Sequence, residues 1–98
     1  VGDEADLKPW GRYPNYADIA RLEYGRLLWR NPALRQRLLA HWTSAGNPYA
    51  PRFAEKRALV ESVLSSAECD DDLDRSLRSR GQSLRAVVRE IPPVFGSI

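Results

Sequence analysis

Apolar residues recur at helical intervals through most of this chain. Between residues 15 and 29, Tyr16, Ile19, Ala20, Tyr24, Leu27 and Leu28 fall close to helical spacing, which predicts that they share the apolar face of a first helix. Leu34, Leu38 and Trp42 do the same for a second helix over residues 32–45. Asn31-Pro32 divides the two runs. An Asn side chain accepts hydrogen bonds from the free amides of a first helical turn, and Pro fits that turn because no donor is needed there. Gly46 supplies the residue type that ends helices, with Pro48 just beyond. The reading is a helical hairpin over residues 15–45. Gly25 lies inside its first helix, at a cost of about 1 kcal/mol relative to Ala, which packing absorbs if another element passes close by.

The turn Asn47-Pro48-Tyr49-Ala50-Pro51 leads into a third predicted helix over residues 51–67, with Phe53, Val60, Val63, Leu64 and Ala67 inward and Glu55, Lys56 and Glu61 in water. From 69 to 80 the charges are ordered. Asp70, Asp71, Asp72 and Asp74 come first, Arg75, Arg78 and Arg80 last, and Gly81 follows. That order suits a helix dipole and its stop signal. Leu73 and Leu77 are the sole aliphatic anchors there, which predicts a helix on the surface. Ser83 then caps a short helix bearing Leu84, Val87, Val88 and Ile91, ended by Pro92-Pro93. An irregular arm over residues 1–14, holding Trp10 and Tyr13, and a tail over 92–98, holding Val94-Phe95, complete the chain. The fold class expected is all-α: a small single-domain bundle of four to five helices built on an N-terminal helical hairpin.

Composition narrows what such a bundle can do. With 43% hydrophobic and 29% charged residues the chain is globular rather than disordered. At 98 residues it forms one domain with a thin core. A formal charge of +2 gives no global field to draw in nucleic acid or an anionic membrane. Arg outnumbers Lys thirteen to two; a genomic habit explains this, and so does the suitability of Arg's planar fork for interfaces. A single cysteine, Cys69, allows no internal disulfide and fits a reducing, cytoplasmic setting. No apolar run approaches the ~18–20 residues that span a bilayer.

The candidate chemistry is sparse. Asp70, Asp72 and Asp74 alternate as in a calcium loop, but Arg75 and Gly81 stand where that loop needs Gly and Glu. The expectation is an acidic helix start. His41 and Cys69 are each the sole member of their type, too few for a zinc site. Nothing Gly-rich surrounds Cys69 to stabilise an oxyanion, and no phosphate cradle exists. No catalytic, metal or cofactor site is expected. The chain reads as a non-enzyme.

Arg78, Arg80, Arg85 and Arg89 form a local basic cluster, which is a solvated face, a surface for an acidic protein, or one for a phosphate backbone. They lie in Leu77-Arg78-Ser79-Arg80-Gly81-Gln82-Ser83-Leu84-Arg85-Ala86-Val87-Val88-Arg89-Glu90-Ile91. This string resembles the first two helices of resolvase- and transposase-type helix-turn-helix domains, in which a helix, a Gly and a Ser-Leu-Arg helix precede the turn. The resemblance covers about fifteen residues and implies DNA binding. Where the family continues into a recognition helix, this chain gives Pro92-Pro93-Val94-Phe95-Gly96-Ser97-Ile98, and four aspartates upstream repel phosphate.

Nine aromatics in a small helical chain exceed what most thin cores hide. Most are expected inside. Trp10, Tyr24, Leu28, Trp29 and Phe95 are the candidates for an exposed patch rimmed by Arg. The function expected is a small regulatory protein-binding module, an adaptor or antagonist acting on a partner such as a transcription regulator or an enzyme. DNA binding through the 77–91 segment is one alternative. A helical subunit that works only as an oligomer, or as a homodimer through the patch, is another.

Overall fold

The computed structural model describes residues 9–11 and 14–93. Their order is α1 (Tyr16–Trp29), α2 (Pro32–Trp42), α3 (Ala50–Ser65), α4 (Asp70–Arg78) and α5 (Leu84–Val88), with no strand among the described residues. Capping side chains set most of the helix starts. Asn15 Oδ1 accepts from Ala17 N at 2.9 Å, and Asn31 Oδ1 accepts from Ala33 N at 3.0 Å and Leu34 N at 3.2 Å. Two residues therefore turn the chain from α1 into α2, which pack against one another as the expected hairpin. Gly81, after α4, has φ +78°, the left-handed conformation in which a side chain is strained. There Gln82 N donates back to Leu77 O at 2.9 Å.

The core lies between α1, α3 and α5, with α2 against α1 and α4 against α5. Its centre is aromatic. The fully buried Trp42 stacks on Trp29 at 6.3 Å between centroids and meets Phe53 edge-on at 5.2 Å, joining α2 to α1 and α3. Its indole Nε1 donates to Pro93 O at 3.2 Å, which pins the end of the described chain beneath α2.

Three expectations are corrected. α1 is rotated: Tyr16, Tyr24 and Leu27 are 75%, 47% and 60% exposed, Ala20 is exposed too, and Asp18, Leu22, Gly25, Arg26 and Trp29 face inward. Of the predicted face, Leu28 is buried and Ile19 half-buried. Apolar residues occur on both sides of this helix, so periodicity alone does not select one. A Cβ at position 25 would stand 2.9 Å from Leu64 Cδ2, so it is the bare glycine side of α1 that admits α3. Second, α4 lies on the surface anchored by Leu73 and Leu77 as expected, but Asp74 beside them is buried rather than in water. Third, the helices stop earlier than expected. α2 ends at Trp42, α3 at Ser65 with Ala67 exposed, and α5 is a five-residue turn, although Ile91 beyond it is buried.

Filling the bare position should disturb this packing. Gly25→Val is expected to cost about 1–3 kcal/mol in denaturant unfolding, the usual scale of overpacking. Adding Leu64→Ala should recover part of that cost relative to the sum of the single changes. Strict additivity of the two substitutions would show that residues 25 and 64 do not meet.

Candidate functional surface

The expected partner patch does not assemble. Trp29 and Leu28 are only 6% and 9% exposed and belong to the core. Trp29 stacks on Trp42, the Arg35 guanidinium lies 5.7 Å from the centre of its ring, and Arg35 Nη1 donates to its carbonyl at 3.3 Å. Trp10 is half-buried against the same core, and its carbonyl accepts from Arg85 Nη2 at 2.8 Å, so it lies down on its own domain. Phe95 and Tyr13 fall outside the described residues. Tyr24 remains on the surface.

In place of that patch, the outer side of α1 presents Tyr16, Ala20, Tyr24 and Leu27. Their spacing of four, four and three residues keeps them on one face. The eleven helical rises from Tyr16 to Leu27 make this line about 16 Å long. Glu23 and Arg30 border it, both exposed. Glu23 Oε1 lies 3.8 Å from Arg26 Nη1, whereas Arg30 has no side-chain ion pair among the described residues.

The basic cluster is divided rather than pooled. Arg78 Nε donates to Asp74 Oδ2 at 2.7 Å. Arg89 Nη2 reaches Asp18 Oδ2 at 3.5 Å. Arg85 Nε is buried without a hydrogen bond among the described residues and lies 3.9 Å from the same oxygen, close enough for charge attraction but too far to donate. Arg80 is exposed. The α4–turn–α5 segment does form the two helices that a helix-turn-helix would open with. However, Leu84, Val87 and Val88 of α5 are all buried, and no third helix follows among the described residues.

Two charged residues matter more than the sequence indicated. Asp74, one of four aspartates expected at a wet helix start, is 2% exposed. Its Oδ1 accepts from Leu84 N at 2.8 Å, so a buried carboxylate satisfies a free amide at the start of α5. The clue was positional: Asp74 stands beside Leu73 on the side of α4 that Leu77 also occupies. Arg26, 8% exposed, donates from Nε to Val63 O at 3.3 Å and from Nη1 to Asp70 Oδ1 at 3.0 Å. It ties α1 to the end of α3 and the start of α4. No sequence signal singled it out among thirteen arginines.

The other candidate groups stay apart. His41, half-buried, lines a cleft of about 520 Å³ with Ser44, Asn47 and Tyr49 among its walls, while Cys69 is an exposed free thiol at the start of α4. Among the described residues, no group of three His, Cys, Asp or Glu side chains could hold a metal ion, and no helix is long and apolar enough to cross a membrane.

Glu90 and Arg52 join the far end of α5 to α3 as a fork, with Nε to Oε2 and Nη2 to Oε1 both at 2.8 Å. The hydrogen-bonded Arg52 guanidinium holds the Glu90 carboxyl below the usual carboxylate range. A lowered value in the folded state means that the pair's contribution is complete above the ordinary Glu value. It is lost as pH falls through the lower folded one. Glu90→Gln should therefore lower the melting temperature at pH 7, and the gap from the parent should close as pH drops below about 4. A gap that stays constant from pH 7 to pH 3 would contradict the link. No protein-family model, curated protein or solved structure matches this chain.

Proposed function

We propose that this chain is a small protein-binding module, an adaptor or antagonist without catalytic activity of its own, that docks through the outer face of α1. The observation that supports this reading is the line Tyr16, Ala20, Tyr24 and Leu27, which stays in solvent although the same helix buries its other side. The two tyrosines are of the type that anchors protein interfaces, and Leu27 extends the apolar area beside them. Tyrosine adds a hydroxyl that tolerates water before docking and accepts or donates afterwards. A line one side chain wide and about 16 Å long matches the apolar stripe of a partner helix, read at intervals of three and four residues. Glu23 and Arg30 at its border supply one charge of each sign, which sets the direction in which a charged partner helix lies.

The DNA reading draws on the arginines of the 77–91 segment, and three of those four are paired to carboxylates of this same chain. The cluster is thus divided among separate contacts rather than pooled on one face, and no third helix follows among the described residues to enter a groove. The protein reading is therefore the stronger.

Tyr24→Glu with Leu27→Glu tests it without touching the core. Tagged parent and double variant are passed over nuclease-treated source lysate, and bound proteins are quantified. The parent should retain a stoichiometric protein that the variant loses by more than tenfold, with melting temperature and far-UV circular dichroism unchanged. A protein retained equally by both, or none retained by the parent, would contradict docking through this face. Retention that disappears from the parent on nuclease treatment would shift the reading to nucleic acid.

A further inference from the structure

On the other flank of α1, the chain folds three arginines from three separate elements around one opening. Arg21 of α1, Arg52 of α3 and Arg89, the residue that follows α5, line a cleft of about 220 Å³ whose walls include the buried Phe53 and Ile91. Among the described residues, Glu90 is the one carboxylate in that lining. Both of its oxygens are taken by Arg52, so it neutralises that guanidinium and leaves the other two. The next ring of charges cancels. Among the described residues around this lining, Asp18 and Glu55 are carboxylates, and Arg85 and Lys56 are cations. Two positive charges remain facing the cleft.

Those two are under-committed. Arg21 makes no hydrogen bond or ion pair among the described residues, and Arg89 reaches Asp18 only at 3.5 Å, through one nitrogen. Guanidinium groups present paired donors in a plane, the geometry that carboxylate and phosphate oxygens match. The cleft is smaller than the ~300–1,000 Å³ of sites that enclose a whole small molecule. It has room for the head of a side chain, with apolar wall for the stem and positive charge for the tip.

From this we infer that the cleft between α1, α3 and the end of α5 binds an oxyanion on a short apolar stem, a phosphate monoester or a carboxylate, carried by a side chain of a protein partner. The chemistry comes from the cleft alone. That the oxyanion arrives on a protein rests on the protein-binding reading above.

The test is titration of the full chain with phenyl phosphate, with benzoate and with inorganic phosphate, followed by calorimetry and by the arginine Nε–H resonances. Phenyl phosphate or benzoate should saturate one site, more tightly than inorganic phosphate, and whichever binds identifies the kind of oxyanion. Arg21→Gln, which removes no contact within the fold, should weaken binding about tenfold or more, the scale of losing one charge-assisted hydrogen bond. Arg89→Gln should do the same, and Arg80→Gln, outside the cleft, should not. Absence of saturable binding, an unchanged affinity in Arg21→Gln, or an equal loss in Arg80→Gln would each overturn the inference. Inorganic phosphate binding as tightly as phenyl phosphate would overturn the apolar stem. Tyr24→Ala with Leu27→Ala, which adds no charge beside Arg21, should leave the titration unchanged, so failure at the cleft and failure at the outer face of α1 are read separately.

Discussion

Leu64 of α3 comes to 2.9 Å from the point a Cβ on residue 25 would occupy, so the two helices approach where α1 has no side chain. Much of the molecule depends on that approach. A helix apolar on both sides can bury either, and hydrophobic burial, being non-directional, does not distinguish them. Steric fit does. With Gly25 turned to α3, Leu22 and Trp29 enter the core and Trp29 reaches Trp42. Tyr16, Tyr24 and Leu27 are carried outward by the same rotation. The surface assigned here to a partner is thus the geometric consequence of a packing contact on the opposite side of the helix.

Polar contacts hold the rotation in place. Asp18 and Arg26 stand two turns apart on the inward side of α1. The first faces Arg85 and Arg89, and the second reaches Val63 O and Asp70. Asp18 and Arg26 are buried while their partners are partly exposed, so each pair adds little net stability, but removing a partner leaves the buried charge less well compensated. Such pairs penalise the wrong rotation more than they reward the right one. Asp74 acts similarly for α5, a five-residue helix too short to persist alone. Its position comes from a carboxylate on α4 and from burial of Leu84, Val87 and Val88.

The local punctuation was legible in the sequence. Asn31 and Ser83 cap the helices they were expected to cap, and Gly81 adopts the stop conformation, because these effects involve only neighbouring residues; Gly46 does not end α2, which stops at Trp42. The hairpin and the helical class follow from them. The rotation of α1 was not legible, since Tyr16, Ala20, Tyr24 and Leu27 give a better apolar line than the side that is buried. Asp18, Gly25 and Arg26 make that buried side look wet. On α4, Leu73 and Leu77 are the inward anchors the sequence indicated, and the burial of Asp74 beside them is what four consecutive-looking aspartates hid. Of the patch candidates on α1, Tyr24 is exposed, whereas Leu28 and Trp29 are core. The arginine cleft joins residues 21, 52 and 89, a conjunction that exists only after folding.

Cysteine accessibility along α1 tests the rotation most directly. In a Cys69→Ser background, single cysteines at positions 22, 24 and 27 are reacted with a thiol reagent in dilute solution. Tyr24→Cys and Leu27→Cys should react within a few-fold of a free peptide thiol, and Leu22→Cys should be protected by orders of magnitude. Fast reaction at 22 with protection at 24 and 27 would mean that α1 faces the other way, and that the tyrosine line belongs to the core.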